Sequence, residues 1–228
     1  MAEPVLLSWS GGKDSLMALY EIQKQGQYKM AALLAVMSET YGRVSHHGVR
    51  GELLEQQAIS LGLSLEQVFL SETASIEGYG SKMSHILAKY KSQGIESVVF
   101  GDIFLEDLRQ YRESILAEVG MKGIFPLGKE DTSALVRLFI DLGFKAVLPC
   151  IDPKKLAPDF AGRTIDQEFL ADLPVAVDPC GENGEFHSFV FDGPIFKEKI
   201  EHRVGEVVWR PSGNYFCDMI SLQDAIKP

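Results

Sequence analysis

Residues 5–19 read Val-Leu-Leu-Ser-Trp-Ser-Gly-Gly-Lys-Asp-Ser-Leu-Met-Ala-Leu, and this stretch decides the fold. A strand-like apolar segment comes first, and Leu16, Leu19 and Tyr20 follow at helical spacing, which predicts a strand-to-helix turn at residues 10–15. The two glycines allow a tight turn, and the helix behind them presents unpaired backbone N–H groups. Hydroxyl groups, a lysine and the helix dipole all favour an anion at this point, so we predict that the turn binds phosphate.

The hexapeptide Ser10–Ser15 differs from two widespread phosphate loops. The chain contains no Gly-x-x-x-x-Gly-Lys-Ser/Thr sequence, and Gly11-Gly12 lacks the third glycine of a dinucleotide-binding fingerprint. The hexapeptide resembles instead the PP-loop of the ATP pyrophosphatases, in which the loop holds the β and γ phosphates and the α phosphate is attacked. The alternative is a glycine-rich turn in which Ser10 or Asp14 only caps the helix.

Composition and charge limit the class of protein. The chain has 228 residues, 46% of them apolar, and a formal net charge of -10. These values predict a globular protein with a full core, and the acidic balance argues against a nucleic acid partner. We predict no membrane partner and a cytoplasmic location, because the sequence shows no membrane span and no signal peptide. Three separated cysteines without a Cys-x-x-Cys pair argue against a zinc ribbon or a dithiol relay.

Apolar strand patterns alternate with helical patterns over the first two thirds of the chain, which predicts β-α-β units and an α/β fold with an open, mostly parallel sheet covered by helices on both faces. Proline and glycine then interrupt the chain, and short strands predict a small C-terminal α+β domain with antiparallel strands. We predict domains at residues 1–152 and 153–228, with residues 146–151 as the last strand of the parallel series. The predicted strands are 5–9, 29–37, 65–70, 95–100, 123–126, 146–151, 186–191, 206–209 and 215–222, and the predicted helices are 13–25, 50–61, 83–90, 108–119, 135–142 and 165–173.

Ligands of an open parallel sheet bind beyond the carboxyl ends of its strands. Asp102 follows the apolar strand and Gly101, so its carboxylate is predicted to face the ligand and to orient Mg²⁺ or a ribose, with a helix cap as the alternative. His46, His47 and Arg50 lie in the loop after the second strand. We predict a lid in which Arg50 meets an oxyanion, and the alternative is a solvated loop. No metal site built from side chains alone is predicted.

A second polar constellation occupies residues 178–194, Asp-Pro-Cys-Gly-Glu-Asn-Gly-Glu-Phe-His-Ser-Phe-Val-Phe-Asp-Gly-Pro. Two glycines frame Glu182, and Glu185 and His187 alternate with Phe186 along the following strand. A carboxylate pair beside an imidazole can hold an ammonium group and accept a proton from it. The alternative is a hairpin rich in polar turn residues.

The two motifs together resemble the diphthine–ammonia ligase family of PP-loop ATPases. The resemblance implies a HUP domain that binds ATP, followed by a small domain with the Glu-Phe-His motif. It also implies that ATP activates a carboxylate as an acyl-adenylate, with release of AMP and pyrophosphate, and that ammonia then forms an amide. The carboxylate would be that of diphthine on elongation factor 2 in an archaeal or eukaryotic source, and another acceptor in a bacterial one.

Site roles follow from the resemblance residue by residue. Ser10, Gly11, Gly12, Lys13, Asp14 and Ser15 would bind the phosphates of ATP. The backbone from Val36 to Ser38 would bind adenine. Gly101 and Asp102 are added to the nucleotide site because of their position after the apolar strand, and not because of the resemblance. Glu182, Glu185 and His187 would bind the acceptor or ammonia.

Other functions stay open from the sequence. One is an ATP-binding regulatory module, and another is a PP-loop enzyme with a different acceptor. A tRNA thiolase is disfavoured, because the chain lacks a cysteine pair and is acidic. We also consider a homodimer.

Overall fold

The protein is an α/β fold that forms two compact units. The computed structural model describes residues 2–45, 47–71, 76–104 and 106–222, with only the backbone of residues 76 and 77. Among these, the first unit takes its residues from 1–10, 14–42 and 63–129, and the second from 11–13, 43–62 and 130–228. The domain division after residue 152 stays a prediction.

The helices and strands alternate over the first two thirds of the chain, as predicted. The strands are β1 (Glu3–Ser8), β2 (Tyr28–Ser38), β3 (Arg43–Val44), β4 (Leu65–Leu70), β5 (Ser97–Val99), β6 (Lys122–Ile124), β7 (Lys145–Ile151), β8 (Phe186–Asp192), β9 (His202–Trp209) and β10 (Tyr215–Ser221). The helices are α1 (Lys13–Gln25), α2 (Gly51–Leu61), α3 (Ile76–Lys91), α4 (Glu106–Glu118), α5 (Thr132–Asp141) and α6 (Gln167–Asp172), with a 3₁₀ turn at Pro158–Phe160.

The first unit is built on a parallel sheet. Strand β1 pairs with β2 on one side and β5 on the other, β4 extends the sheet beyond β2, and β6 extends it beyond β5. The strand order is therefore β4-β2-β1-β5-β6. Strands after β1 are added first on one side of it and then on the other, so the chain connections change side between β1 and β5. In sheets of this kind, the crevice at such a change of side is where ligands bind. The predicted open parallel sheet is confirmed.

Both faces of this sheet are covered. Leu6 of β1 packs in a cluster with residues of α3 and α4, such as Leu87 and Leu116. Side chains alternate between the two faces of a strand, so Val5 and Leu7 point to the opposite face, and they are equally buried. A strand buried on both faces needs the continuous apolar sequence that residues 5–7 provide.

The second unit contains a four-stranded antiparallel sheet in the order β8-β7-β10-β9. The sequence predicts β7 as the last strand of the parallel series, and this is wrong. Ala146 pairs antiparallel with Val190 of β8, and Cys150 pairs antiparallel with Phe216 of β10. The run from Ala146 to Ile151 is buried throughout, and a fully buried strand has the same apolar pattern in parallel and antiparallel surroundings.

Aromatic side chains fill the core of the second unit. The rings of Phe139 and Phe144 stack with centroids 5.4 Å apart, and Phe169 meets Phe186 edge to face at 5.6 Å. Phe186 is the first residue of β8. The strand that carries the end of the second sequence motif therefore begins in this aromatic core. Within the described ranges, every helix is too short or too polar to cross a bilayer.

Candidate functional site

The centre of the predicted phosphate loop is bound to strand β8 in the second unit. Gly11 adopts a positive φ of 76°, and its carbonyl oxygen accepts a hydrogen bond of 2.9 Å from the backbone N–H of Val190. The backbone N–H of Lys13 donates to the hydroxyl oxygen of Ser188 at 3.0 Å. The Lys13 ammonium group donates to the carbonyl oxygen of Cys180. Residues of both sequence motifs are therefore in direct contact.

Lys13 is a buried cation. Its side chain is 2% exposed, and the ammonium nitrogen lies 5.8 Å from the centroid of the Phe186 ring. Taking a charge out of water is costly unless hydrogen bonds and opposite charge compensate it. An anion bound at this position would add opposite charge and lower that cost further.

The turn between Asp178 and Glu185 is organised by the Asp178 carboxylate. One of its oxygens accepts the backbone N–H groups of Cys180 at 2.8 Å and Glu182 at 3.3 Å. The other oxygen accepts the Thr132 hydroxyl at 2.8 Å. Asp178 thereby joins the turn to the first residue of α5 and fixes the backbone at Cys180, whose carbonyl contacts Lys13.

Glu185 completes the same turn from the inside. Its side chain is 1% exposed, and its carboxylate accepts the backbone N–H groups of Asp178 at 3.1 Å and Asn183 at 2.9 Å, together with the Asn183 side-chain amide at 3.0 Å. Burial alone would raise the pKa of the Glu185 carboxyl, but the donors from Asn183 and Asp178 outweigh it and hold the pKa below its ordinary value. The geometry makes Glu185 an ionised organiser of the turn.

Two predicted residues of the second unit form a pair of imidazoles. The ring centroids of His47 and His187 lie 4.4 Å apart, with an angle of 32° between the ring planes. The Nδ1 atom of His47 is 3.3 Å from the carbonyl oxygen of Ser188, which also contacts the phosphate loop through its hydroxyl group. His46 lies outside the described residues.

Arg50, predicted to meet an oxyanion, is bound to a protein carboxylate in this structure. Its Nε and Nη2 atoms donate to the two oxygens of Asp218 at 3.1 and 2.6 Å, and Arg43 donates to the same carboxylate at 2.9 Å. The hydrogen bond from Arg50 is the main cause that lowers the pKa of Asp218 to about 2. The lid role of Arg50 stays a prediction.

The ends of the phosphate loop belong to the first unit. The hydroxyl oxygens of Ser10 and Ser15 lie 3.3 Å apart, within hydrogen-bond distance. Gly101 packs directly on the start of α1, because a Cβ atom built on it would lie 2.6 Å from the carbonyl carbon of Asp14 and 2.8 Å from the nitrogen of Ser15. The glycine therefore allows the end of β5 to approach the loop backbone.

Asp102 follows Gly101 and is held by α4. Its Oδ1 atom accepts a hydrogen bond of 3.0 Å from Nη2 of Arg112. Nε of Arg112 lies 2.8 Å from Oδ2 of Asp102, an ion-pair distance without the angle of a hydrogen bond. Burial raises the pKa of Asp102, the Arg112 charge opposes this rise, and the negative charge of Asp14 adds to it. The carboxylates of Asp14 and Asp102 thus interact electrostatically.

Ser38 is the last residue of β2, at the carboxyl edge of the parallel sheet. Its hydroxyl oxygen accepts a hydrogen bond of 3.3 Å from the backbone N–H of Tyr41, and its carbonyl oxygen accepts one of 2.9 Å from Gly42. These contacts hold a turn at the position where the resemblance implies adenine.

Profiles of two known domains cover most of this chain. The diphthamide synthase N-terminal domain matches residues 4–123, and the diphthamide synthase C-terminal domain matches residues 131–221. The chain belongs to the diphthamide synthase family. The sequence-based family prediction is therefore confirmed.

Curated relatives extend the comparison over most of this diphthamide synthase family member. The diphthine–ammonia ligase of Homo sapiens is 28% identical over 225 residues, which cover 87% of this chain and 82% of the human protein. The diphthine–ammonia ligase of Mus musculus is 28% identical and covers 84% of this chain and 79% of its own length. A solved structure, the U34-tRNA thiolase NcsA from Methanococcus maripaludis with its 4Fe-4S cluster, aligns with a TM-score of 0.37 and 17% identity over 60% of this chain and 55% of its own.

The sequence assigns no role to several residues that shape the candidate site of this family member. Asp178 and Ser188 lie inside the quoted motif, but their hydrogen bonds to distant backbone groups have no signature in sequence spacing. The role of Gln57 could have been suspected from the sequence, because Gln57 is a polar residue on the apolar stripe that Leu54, Ala58 and Leu61 form along α2. A polar side chain on such a stripe must find buried partners.

Substituting Gly101 with alanine tests the close approach to the loop. We expect Gly101→Ala to lower the free energy of unfolding by about 3 kcal/mol and to weaken ATP binding, because the added Cβ meets backbone atoms of Asp14 and Ser15 that cannot move aside. Gly80→Ala in α3 is the control, since a Cβ there meets nothing within 4 Å, and it should stabilise the protein slightly. Urea unfolding measures both. Equal effects of the two substitutions would contradict the packing described for Gly101.

The Asp218 pair makes a prediction about pH. A carboxyl with a lowered pKa stabilises the fold above its unfolded pKa of about 3.9, and this contribution is lost as the pH falls through the folded pKa of about 2. The Asp218 side chain is 29% exposed, so screening reduces the effect, and we expect Asp218→Asn to cost about 1 kcal/mol at neutral pH. Urea unfolding should show this cost shrinking as the pH approaches 2. A cost that does not depend on pH would contradict the assignment.

Proposed function

We propose that this protein is an ATP-dependent ligase that joins ammonia to a carboxylate. An oxygen of the acceptor carboxylate attacks the α phosphorus of ATP, the bond from that phosphorus to the bridging oxygen breaks, and pyrophosphate leaves. The nitrogen of ammonia then attacks the acyl carbon, the bond from that carbon to AMP breaks, and an amide forms. The relatives named diphthine–ammonia ligase and the family membership support this reaction.

One observation carries the proposal. The middle of the phosphate loop and the Glu-Phe-His strand contact each other within the second unit, through the bonds of Lys13 to Ser188 and Cys180 and of Gly11 to Val190. A phosphate-binding element and a carboxylate–imidazole element must be neighbours if one is to activate the group that the other binds.

The loop from Ser10 to Ser15 binds the β and γ phosphates in this proposal. Lys13 supplies a buried positive charge, and the start of α1 supplies backbone N–H groups that favour an anion. These groups stabilise the negative charge that develops on pyrophosphate as it leaves. Ser38 at the end of β2 lies beside adenine, and Gly101 permits the approach of β5 to the loop.

Mg²⁺ is proposed to accompany the nucleotide. In the described ranges, no group of three or more histidine, cysteine and acidic side chains could hold a metal ion. Mg²⁺ in nucleotide enzymes is commonly bound by one or two carboxylates and by the phosphates. Asp14 and Asp102 fit this role, because their charges repel each other and the Oδ2 atom of Asp102 accepts no hydrogen bond from a described residue. When bound, the ion neutralises phosphate charge.

Three residues of the second motif receive separate roles. Glu185 is a positioning residue, because three N–H donors occupy its buried carboxylate. Glu182, in the turn that Glu185 and Asp178 shape, binds ammonium through its negative charge. His187, beside His47, takes the proton that ammonium must lose before its nitrogen can attack.

In an archaeal or eukaryotic source, the acceptor is proposed to be the carboxylate of diphthine on elongation factor 2, with free ammonia as the nitrogen donor. The names of the relatives support both substrates. A cytoplasmic location would place the enzyme with elongation factor 2, and a homodimer stays a prediction.

Isotopically labelled ammonium tests the reaction. The protein is incubated with ATP, Mg²⁺, labelled ammonium and elongation factor 2 carrying diphthine, and the modified peptide is examined by mass spectrometry. We expect the label in one amide of that peptide, in an amount equal to the AMP formed. Formation of AMP without labelled amide would mean that water or another nitrogen donor attacks the acyl-adenylate, and ATP binding without any turnover would favour a different acceptor or a regulatory module.

A further inference from the structure

Gln57 lies at the point where helix α2, the phosphate loop and strand β8 meet in the second unit. Its side chain is completely buried. The amide nitrogen donates to the carbonyl oxygen of Gly11 at 3.0 Å and to that of Val190 at 2.6 Å. Because Val190 also donates its own N–H to Gly11, a single side-chain amide closes a small network between the loop and the strand.

We infer that Gln57 is a positioning residue that holds the phosphate loop in its binding conformation. The inference rests on the proposed binding of ATP at this loop.

The conformation of Gly11 explains why the loop needs such a residue. Gly11 has a positive φ of 76°, which is one of many conformations open to a glycine. Fixing Gly11 in this one conformation costs conformational entropy, and contacts to the loop must offset that cost. Its carbonyl oxygen is fixed by donors from Gln57 and Val190. The orientation of the Gly11 carbonyl sets the direction of the following peptide, and hence of the N–H groups that lead into α1.

The fit around Gly11 also excludes a larger residue. A Cβ atom built on Gly11 would lie 2.7 Å from Oε1 of Gln57 and 3.2 Å from Cδ1 of Leu54. Both polar atoms of the Gln57 amide group therefore lie next to Gly11. The nitrogen donates a hydrogen bond to the Gly11 carbonyl, and the oxygen occupies the space that a Cβ atom would need. A contact that only filled space would not require an amide at this position.

The neighbouring residue Gln56 provides a matched comparison. Its amide nitrogen donates to the hydroxyl oxygen of Ser221 at 2.7 Å, so it joins α2 to strand β10 and, in the part of the chain that the structure describes, not to the phosphate loop. Both glutamines are thus cross-links of α2 within one unit, and only Gln57 bonds to the loop. A general effect on stability should appear in variants of either residue, whereas an effect on the loop should appear only in variants of Gln57.

ATP binding by the full chain tests the inference. We expect Gln57→Met to raise the Kd for ATP about tenfold, because the Gly11 and Val190 carbonyls lose a buried donor. Gln56→Met should leave the Kd within about twofold of the unsubstituted protein, although both substitutions lower the thermal midpoint. Hydrogen exchange of the peptide spanning residues 9–19 should become faster in Gln57→Met alone.

Each outcome decides between a loop role and a purely structural one. A Kd for Gln57→Met within about twofold of the unsubstituted protein, or an equal loss in Gln56→Met, would overturn the inference. If Gln57→Met does not fold, Gln57→Asn takes its place, since its shorter side chain withdraws the amide from both carbonyls. ATP binding without amide formation by the unsubstituted protein would remove the proposed ligase reaction and leave this inference standing. Failure of the unsubstituted protein to bind ATP would overturn the inference as well.

Discussion

Substituting Lys13 with methionine should lower the rate of AMP formation about a thousandfold, because the loop loses the cation that we propose to bind the phosphates. Methionine has nearly the length of lysine and fills the same buried space beside Phe186. The fold should survive, since removal of a buried charge also removes its desolvation cost.

Lys24→Met in the same helix is the matched control for Lys13→Met. The Lys24 side chain is 64% exposed and lies 3.7 Å from Glu21, so it contributes little to the fold and lies far along the helix from the loop. Product formation should be unchanged by this substitution. The proposed binding of phosphate by Lys13 would be contradicted if both variants made AMP at similar rates, or if Lys13→Met lost its activity only by unfolding.

Glu185→Gln should abolish amide formation and lower the free energy of unfolding by about 3 kcal/mol, because the substitution leaves buried N–H donors without an acceptor. The carboxylate accepts from Asp178 and twice from Asn183, and an amide can offer only one oxygen to these groups. The side-chain NH₂ group of the new glutamine is itself a donor, so it cannot accept a hydrogen bond from an N–H group that the carboxylate had bound. The turn that carries Glu182 and the Cys180 carbonyl should therefore lose its shape.

The stability that Glu185 supplies should depend on pH with a definite sign. Its folded pKa is lowered, so the contribution is present above the unfolded pKa of about 4.3 and is lost as the pH falls through the folded pKa. Urea unfolding at neutral pH and below pH 4 should show the difference between the unsubstituted protein and Glu185→Gln becoming smaller in acid. Glu168→Gln, at an exposed position of α6, should have little effect at either pH. A loss that grows in acid would contradict an ionised Glu185.

The sequence predicts those parts of the fold that depend on local pattern. The phosphate loop can be predicted from the sequence because a strand, two glycines and a helix start are adjacent in the chain. The end of α2 can be predicted because a helix often ends at a glycine, and Gly62 takes a positive φ of 70° that other residues avoid. The pairing of β7 cannot be predicted, since Ala146–Ile151 is apolar on both faces whichever direction the neighbouring strands run.

The candidate site divides in the same way. The sequence shows polar residues between glycines and aromatic residues at Glu182, Glu185 and His187. Their spacing does not predict that the Glu185 carboxylate accepts hydrogen bonds from the backbone of its own loop. The contact of Lys13 with Ser188 joins positions 175 residues apart, and no local rule gives such a pair. Long-range hydrogen bonds of this kind follow from the packing of the whole unit.

The nucleotide products of a single turnover distinguish attack on the α phosphorus from attack on the γ phosphorus. With ATP labelled at the α phosphorus, Mg²⁺, ammonium and acceptor, we expect labelled AMP, unlabelled pyrophosphate and one amide for each AMP. Labelled ADP together with inorganic phosphate would show that the γ phosphorus is attacked instead, and it would contradict activation of the acceptor as an acyl-adenylate.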